Sequence, residues 1–229
     1  MIPLSKIKNL LRAEFDNLCK QYNLENCELL ICNQSELIEH SYIACKYGYL
    51  TPLQMLNQIT SELHDKTNSL MNSEFVVVNG KHQNINSYTV ILLTENIYKL
   101  YYLLQLCKVD YTDEELKEFL LICLRHEIGH IIDYQTAIKT TRDLDKWFEK
   151  RSILKAKEMQ EYFDYRNYLL HTFDEDGPDA DYHLCKLEVE KYFNMTDEAT
   201  ANRLAEVDMD RLIELTIKFQ AMVQEFVNY

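Results

Sequence analysis

Glycine and proline are scarce, with 4 Gly and 3 Pro in 229 residues. Sandwiches, barrels and propellers place one or the other at most of their turns. An all-β architecture is therefore a poor fit, and collagen-like and Pro/Gly-rich disordered chains are excluded. No CxxC pair occurs. The 7 cysteines (Cys19, Cys27, Cys32, Cys45, Cys107, Cys123 and Cys185) are an odd number scattered along the chain. That indicates neither a zinc ribbon nor a thioredoxin-type motif, and it suits reduced, mostly buried thiols in a cytoplasm. Positive charge is also short: 24 Lys and Arg stand against 37 Asp and Glu, a net −13. Such a chain repels phosphate backbones and anionic lipid heads, so neither a nucleic-acid partner nor a membrane is expected. The longest apolar runs, such as 119–124, are far too short to span a bilayer. No basic segment followed by an apolar one marks a signal peptide at the N-terminus. The expected location is cytoplasmic.

What is present is 47% hydrophobic and 11% aromatic residues, enough for a core. Residues 5–22 alternate apolar and charged groups at helical spacing. Cys27 to Cys32 reads as a short strand. Thr51-Pro52-Leu53-Gln54 reads as a helix start running to about Ser69. Two strands follow, at 74–78 ending in an Asn79-Gly80 turn, and at 87–94. Residues 95–108 form a Tyr- and Leu-rich helix. Thr112-Asp113-Glu114-Glu115 is a capping box opening a helix to about Thr136. Residues 141–170 are helical and charge-rich, 171–182 form an acidic loop, and a last long helix runs from Thr196 to the C-terminus. A few short strands among many helices predict one α+β domain over 1–229.

The helix opened by Thr112 contains His126-Glu127-Ile128-Gly129-His130, an HExxH motif. Residues four apart on a helix lie one above the other, so His126 and His130 can bind one metal ion. Glu127, one step round the helix, reaches a water on that metal without ligating it. Zinc lowers the pKa of such a water to about 7. A carboxylate beside it takes the proton during attack on a carbonyl and passes it to the leaving amine. With 7 His and 22 Glu in the chain, one chance match is expected at roughly 2%. The alternative is two surface histidines on an amphipathic helix.

A catalytic zinc needs a third protein ligand and an open position. The extended pattern HExxHxxGxxH is excluded, because Asp133 and Thr136 stand where glycine and histidine are required. The best third ligand is Glu198, in Thr196-Asp197-Glu198-Ala199-Thr200-Ala201-Asn202-Arg203-Leu204-Ala205. Thr196 is the expected N-cap. Ala201 and Ala205 form a small-residue stripe that lets this helix approach the HExxH helix. Asn202, one turn beyond Glu198, can hydrogen-bond a ligating imidazole.

HEIGH followed by Glu-x-x-Ala-Asn-x-Leu-Ala resembles the zincin-like metallopeptidases with a glutamate third ligand, the gluzincins, and among them the ImmA/IrrE type. The resemblance implies a mainly helical zincin-like α+β fold with a small sheet packed on the HExxH helix, its edge strand lying along the substrate. It implies one Zn2+ per chain on His126, His130 and Glu198, Glu127 as general base, and an intracellular protein or peptide substrate. The family includes peptidases that cut regulatory repressors. This chain differs in its spacing: Glu198 follows His130 by 68 residues, the excess being a helical insertion at about 139–185. Leu204 stands where the family has an aromatic, and Val207-Asp208-Met209 where it has Leu-Met-Pro.

Other third-ligand candidates are Glu188, Glu190, His171, His183 and Asp181. Cys123 shares the face of His126 and is expected to be a buried thiol below the metal. Asp133, three after His130, can orient an imidazole or cap a charge, and the solvated reading is the one expected. The segment Asp174 to Asp181 lacks the carboxylates that a calcium loop needs at its first and twelfth positions. The stretch from Lys139 to Arg166, with Trp147, Phe148, Tyr162 and Phe163 interleaved, reads as a solvated helical hairpin or a partner-binding lid. Tyr182 and His183 are the candidate oxyanion donors. The expected function is a zinc endopeptidase. Its rivals are a zincin-shaped binding protein with a structural metal, and a helical interaction protein in which HExxH is coincidental. Gly129 inside a helix costs roughly 1 kcal/mol relative to Ala, so another element, either the strand or the Ala201 stripe, is expected to press against the helix there.

Overall fold

Pro3, with φ −57° and ψ 135°, leads into helix α1 (Leu4–Gln21), where its carbonyl accepts the first helical hydrogen bond from Lys6. Ile7, Leu11, Phe15 and Leu18 recur at three- and four-residue spacing and are all buried. The helix closes on Asn23, whose φ of 50° lies in the left-handed region, and Leu24 N–H returns to the Cys19 carbonyl at 2.9 Å. That is the usual way to satisfy a helix's last carbonyls, and Asn is the side chain that tolerates it best after Gly. The computed structural model describes residues 2–33, 35–36, 75–82, 85–106, 110–172 and 178–227. The helix expected from Thr51 lies outside them, as do residues 173–177, which include Asp174, Glu175 and Asp176.

Strand β1 (Cys27–Cys32) pairs parallel with β3 (Ile85–Leu93), and β2 (Phe75–His82) pairs antiparallel with β3. The order β1-β3-β2 makes β3 central. The expected turn at Asn79-Gly80 is not there. Asn79 pairs with Tyr88 and Gly80 with Ser87, and the ladder continues to His82 opposite Ile85. The backbone ladder outruns the apolar stretch because hydrogen-bonded pairing does not require both faces to be buried.

Helix α2 (Thr94–Leu106) follows β3 directly and buries Ile97, Leu100, Tyr101 and Leu104. Helix α3 (Asp113–Thr140) opens on the capping box. The Thr112 hydroxyl accepts from Glu115 N–H at 3.1 Å, and the Glu115 carboxylate accepts from Thr112 N–H at 2.8 Å. Four further helices complete the described chain: α4 (Leu144–Thr172), α5 (Pro178–Phe193), α6 (Thr196–Leu204) and α7 (Met209–Val227). Part of the expected loop 171–182 is thus helical, with Pro178 at the first position of α5, where its missing N–H costs nothing.

The last helix divides in two. Glu206 has φ 53°, and Val207 N–H returns to the Asn202 carbonyl at 2.9 Å, closing α6. Asp208 then caps α7, its carboxylate accepting from Arg211 N–H at 3.1 Å. Glu198 therefore sits on a separate nine-residue helix.

Helix α3 is the hub. It contacts α1, β2, β3, α4, α6 and α7, which explains why its apolar residues run nearly all round it. Leu116, Leu120, Leu124 and Ile128 join Ile7, Leu11, Leu92, Leu100, Leu104, Leu215 and Phe219 in one core. Burying each such side chain contributes about 1.5–3 kcal/mol. A smaller cluster of Cys185, Val189 and Ile217 holds α5 against α7. The sheet packs on α3 through β2 and β3, and α6 packs on the same helix. The outcome is a mainly helical α+β fold with a three-stranded sheet.

Candidate metal centre

His126 and His130 stand one turn apart on α3, and the first turn of α6 brings Glu198 against both. Glu198 Oε2 lies 3.0 Å from His126 Nε2 and 3.5 Å from His130 Nε2. The two rings meet edge to face with centroids 4.9 Å apart. One ligand atom from each of the three residues falls within 4.8 Å of the others, and the group can hold a metal ion. Among the described residues no fourth His, Cys, Asp or Glu joins it.

Two contacts fix this arrangement. Asn202, one turn beyond Glu198, places its amide oxygen 2.8 Å from His126 Nδ1. Nδ1–H donates to that oxygen, which leaves Nε2 turned toward Glu198; such a partner sets tautomer and ring orientation. Asn202 is 1% exposed and Glu198 3%. Between them on α6, Ala201 meets Gly129 of α3. A Cβ at position 129 would stand 2.0 Å from the Ala201 carbonyl oxygen and 2.8 Å from its Cα. No side chain fits there, and the glycine is what lets the two helices approach closely enough for Glu198 to reach both histidines. The pressing element is the Ala201 backbone.

Electrostatics bind the three groups as one unit. Burial alone would push the His126 imidazole down, but its hydrogen bond to Glu198 and the charges of Glu127 and Glu198 outweigh that and raise it to about 9. Burial would likewise push the Glu198 carboxyl up, yet the His126 and His130 imidazoles hold it well below the usual carboxylate range. In the metal-free form the site is thus an imidazolium–carboxylate pair. Glu127 is half-buried beside His126.

The rival ligands are elsewhere. Glu188 accepts from the Tyr162 hydroxyl at 2.7 Å and pairs with Arg166 at 2.8 Å. Glu190 lies 3.7 Å from Lys186. His171 and His183 are exposed, and the side chain of Asp181, like that of Tyr182, lies outside the described residues. Cys123 packs half-buried against the core and is not in the metal-ligand group. Asp133 is not solvated: its carboxylate pairs with Arg151 of α4 at 2.6 Å and its side chain is 15% exposed. Thr196 is the first residue of α6, and Met195 occupies the cap position. The Thr196 N–H donates to Glu158 of α4 at 3.0 Å, so a carboxylate from another helix does the capping.

Several neighbours of the centre were not legible as such. Phe193, ending α5, meets His126 edge to face, with ring centroids 5.9 Å apart. Tyr134, a turn beyond His130, stacks on Tyr88 of β3 and touches Trp147 and Phe148 of α4. Its spacing from His126 and His130 was the available signal. Burial pushes its phenol up to about 12, so it stays a hydrogen-bond donor at neutral pH. Helix α5 thereby reaches the centre through Phe193, while α4, exposed over most of its length as expected, packs beside it on Tyr134.

No family model matches this chain, and neither curated proteins nor solved structures give a match. Among the described residues, no helix is long and apolar enough to cross a membrane.

Proposed function

We propose that this protein is a zinc-dependent endopeptidase of the zincin type, with a protein or peptide substrate. The observation that carries the reading is the approach of Glu198, from α6, to within 3.0–3.5 Å of His126 and His130, whose helix also presents Glu127. Two imidazole nitrogens and one carboxylate, buried and lacking a fourth protein donor among the described residues, are the donor set of a catalytic zinc with an open position. A zinc ion held there supplies Lewis acidity and brings the pKa of a water down to about 7.

The chain's own residues supply the rest. Asn202 keeps His126 in the tautomer whose Nε2 is available. Glu198 contributes an anion, which favours the cation and stays ionised well below neutral pH. Glu127 accepts a proton from the attacking water and delivers it to the departing amide nitrogen, as a general base and then a general acid. Strand β2 pairs on one side with β3 among the described strands and packs against α3. An extended peptide can add to such an edge as a further strand, which would bring its carbonyls alongside the HExxH helix.

The test is Glu127→Ala, assayed on a quenched-fluorescence peptide library. Cleavage should be abolished while zinc stays near one per chain. Cleavage that persists in a zinc-loaded variant refutes the mechanism. Wild-type protein that binds zinc tightly but cuts nothing points instead to a binding protein with a structural metal.

A further inference from the structure

We propose that Arg151 is a positioning residue for the third metal ligand, and that α4 acts as a strap closing the centre; this rests on the metal reading above. Helix α6 is only nine residues long, and its N-cap, Met195, has no side-chain cap hydrogen bond. A helix so short and uncapped is marginal by itself. Its first turn nevertheless carries Glu198, which must stay within 3.0–3.5 Å of two imidazoles.

Helix α4 supplies what is missing, through two side chains. The guanidinium of Arg151 reaches Asp133 on α3 with one nitrogen and Asp197 on α6 with another, each at 2.6 Å. Asp133 is three residues beyond His130, and Asp197 directly precedes Glu198. One planar, permanently charged group therefore ties the histidine helix to the glutamate helix within a turn of both ligands. Arginine suits this because its planar, delocalised charge can face two carboxylates at once, whereas a lysine ammonium is a point charge. The three side chains are only 14–18% exposed, so solvent screens them less than a surface pair. Trp147, one turn earlier on α4, lies against the guanidinium, whose Cζ is 4.8 Å from its ring centroid. Two turns after Arg151, Glu158 accepts from Thr196 N–H at 3.0 Å and provides the missing cap. Both contacts fall on the first two residues of α6 and both come from the same helix.

The experiment compares Arg151→Met, Arg151→Lys and the exposed control Lys150→Met as full-length proteins. Zinc affinity is read by chelator competition, and the coordination environment by the visible absorption of the cobalt-loaded protein. Arg151→Met should weaken zinc binding about 10–100-fold, the range found when partners of metal ligands are removed. It should also alter the cobalt spectrum, with far-UV circular dichroism unchanged. Arg151→Lys should recover part of the affinity, and Lys150→Met should match wild type. A folded Arg151→Met protein with wild-type zinc affinity and cobalt spectrum overturns the proposal. Should Arg151→Met fail to fold, Asp197→Asn removes one limb of the clamp. About a tenfold loss then supports the proposal, and unchanged affinity overturns it. Should wild type bind neither zinc nor cobalt, the metal reading falls separately. The clamp is then judged by nitrogen-15 signals of His126 and His130 in metal-free protein, with exposed His183 as reference. Those signals should shift in Arg151→Met, and unshifted signals overturn it.

Discussion

Gly129→Ala is the smallest change that should dismantle the centre. In an ordinary helix this substitution stabilises by roughly 1 kcal/mol, because alanine is the better helix former. Here the new Cβ would sit 2.0 Å from the Ala201 carbonyl oxygen, 2.5 Å from its carbon and 2.8 Å from its Cα. All three atoms are backbone, so no side chain can rotate away. Ordinary contact begins near 3.4 Å, so α6 must retreat by about 1.4 Å, a large movement between close-packed elements. Overpacking of this kind costs about 1–3 kcal/mol, which equals or outweighs the propensity gain. Net destabilisation of up to about 2 kcal/mol corresponds to a melting temperature lower by up to roughly 8 °C in a chain of this size. The functional effect is larger, since Glu198 and Asn202 move with Ala201. A misplacement of about 1 Å commonly costs 10²-fold in activity, and zinc affinity should fall by a comparable factor. The assay pairs thermal unfolding with zinc competition on the same samples. A Gly129→Ala protein that is more stable than wild type and binds zinc equally well would refute the close-approach argument. Gly129→Leu should be worse still.

Asn202→Ala should weaken zinc binding about 10–100-fold by freeing His126 to rotate; zinc competition reads this, and an unchanged constant would remove Asn202 from the site. The pH dependence should run in opposite directions with and without metal. His126 is raised from 6.5 to about 9 in the metal-free fold, so its contribution to stability is fully present below pH 6.5 and fades as pH rises through 9. Glu198 is depressed below 4.5, so its contribution is present above pH 4.5 and is lost as pH falls through its lowered pKa. Zinc must displace the His126 proton, so affinity should rise about tenfold per pH unit between pH 6.5 and 8.5. Calorimetry in buffers of different ionisation enthalpy should find close to one proton released. A pH-independent affinity would contradict the imidazolium–carboxylate pair.

The candidate ligands were legible because helical periodicity groups those on one helix and the small-residue stripe points to the other. Four-residue spacing puts His126 and His130 on one face, and the same spacing puts Asn202 behind Glu198. Gly129 and Ala201 marked the close crossing because glycine is costly in a helix without a reason. The Thr112 capping box was equally local. What escaped is non-local. Nothing periodic links Arg151 to Asp133 and Asp197, or Glu158 to Thr196; their pairing depends on how three helices come together. Asp133 read as solvated for that reason. The break between α6 and α7 was hidden because Glu206, a residue with no special turn preference, takes the left-handed conformation. Asp208 was the visible signal, since Asp before an apolar helical run is a strong N-cap. The parallel pairing of β1 with β3 is likewise a matter of register between distant segments, to which no single stretch of sequence points.

The metal content of the purified protein beside that of His126→Ala is the most direct test of the centre. Elemental analysis after dialysis should find close to one zinc per chain in the wild type and essentially none in the variant, with both folded. Wild-type protein that retains no zinc and takes none up, or a His126→Ala protein that keeps its full complement, would contradict the centre proposed for His126, His130 and Glu198.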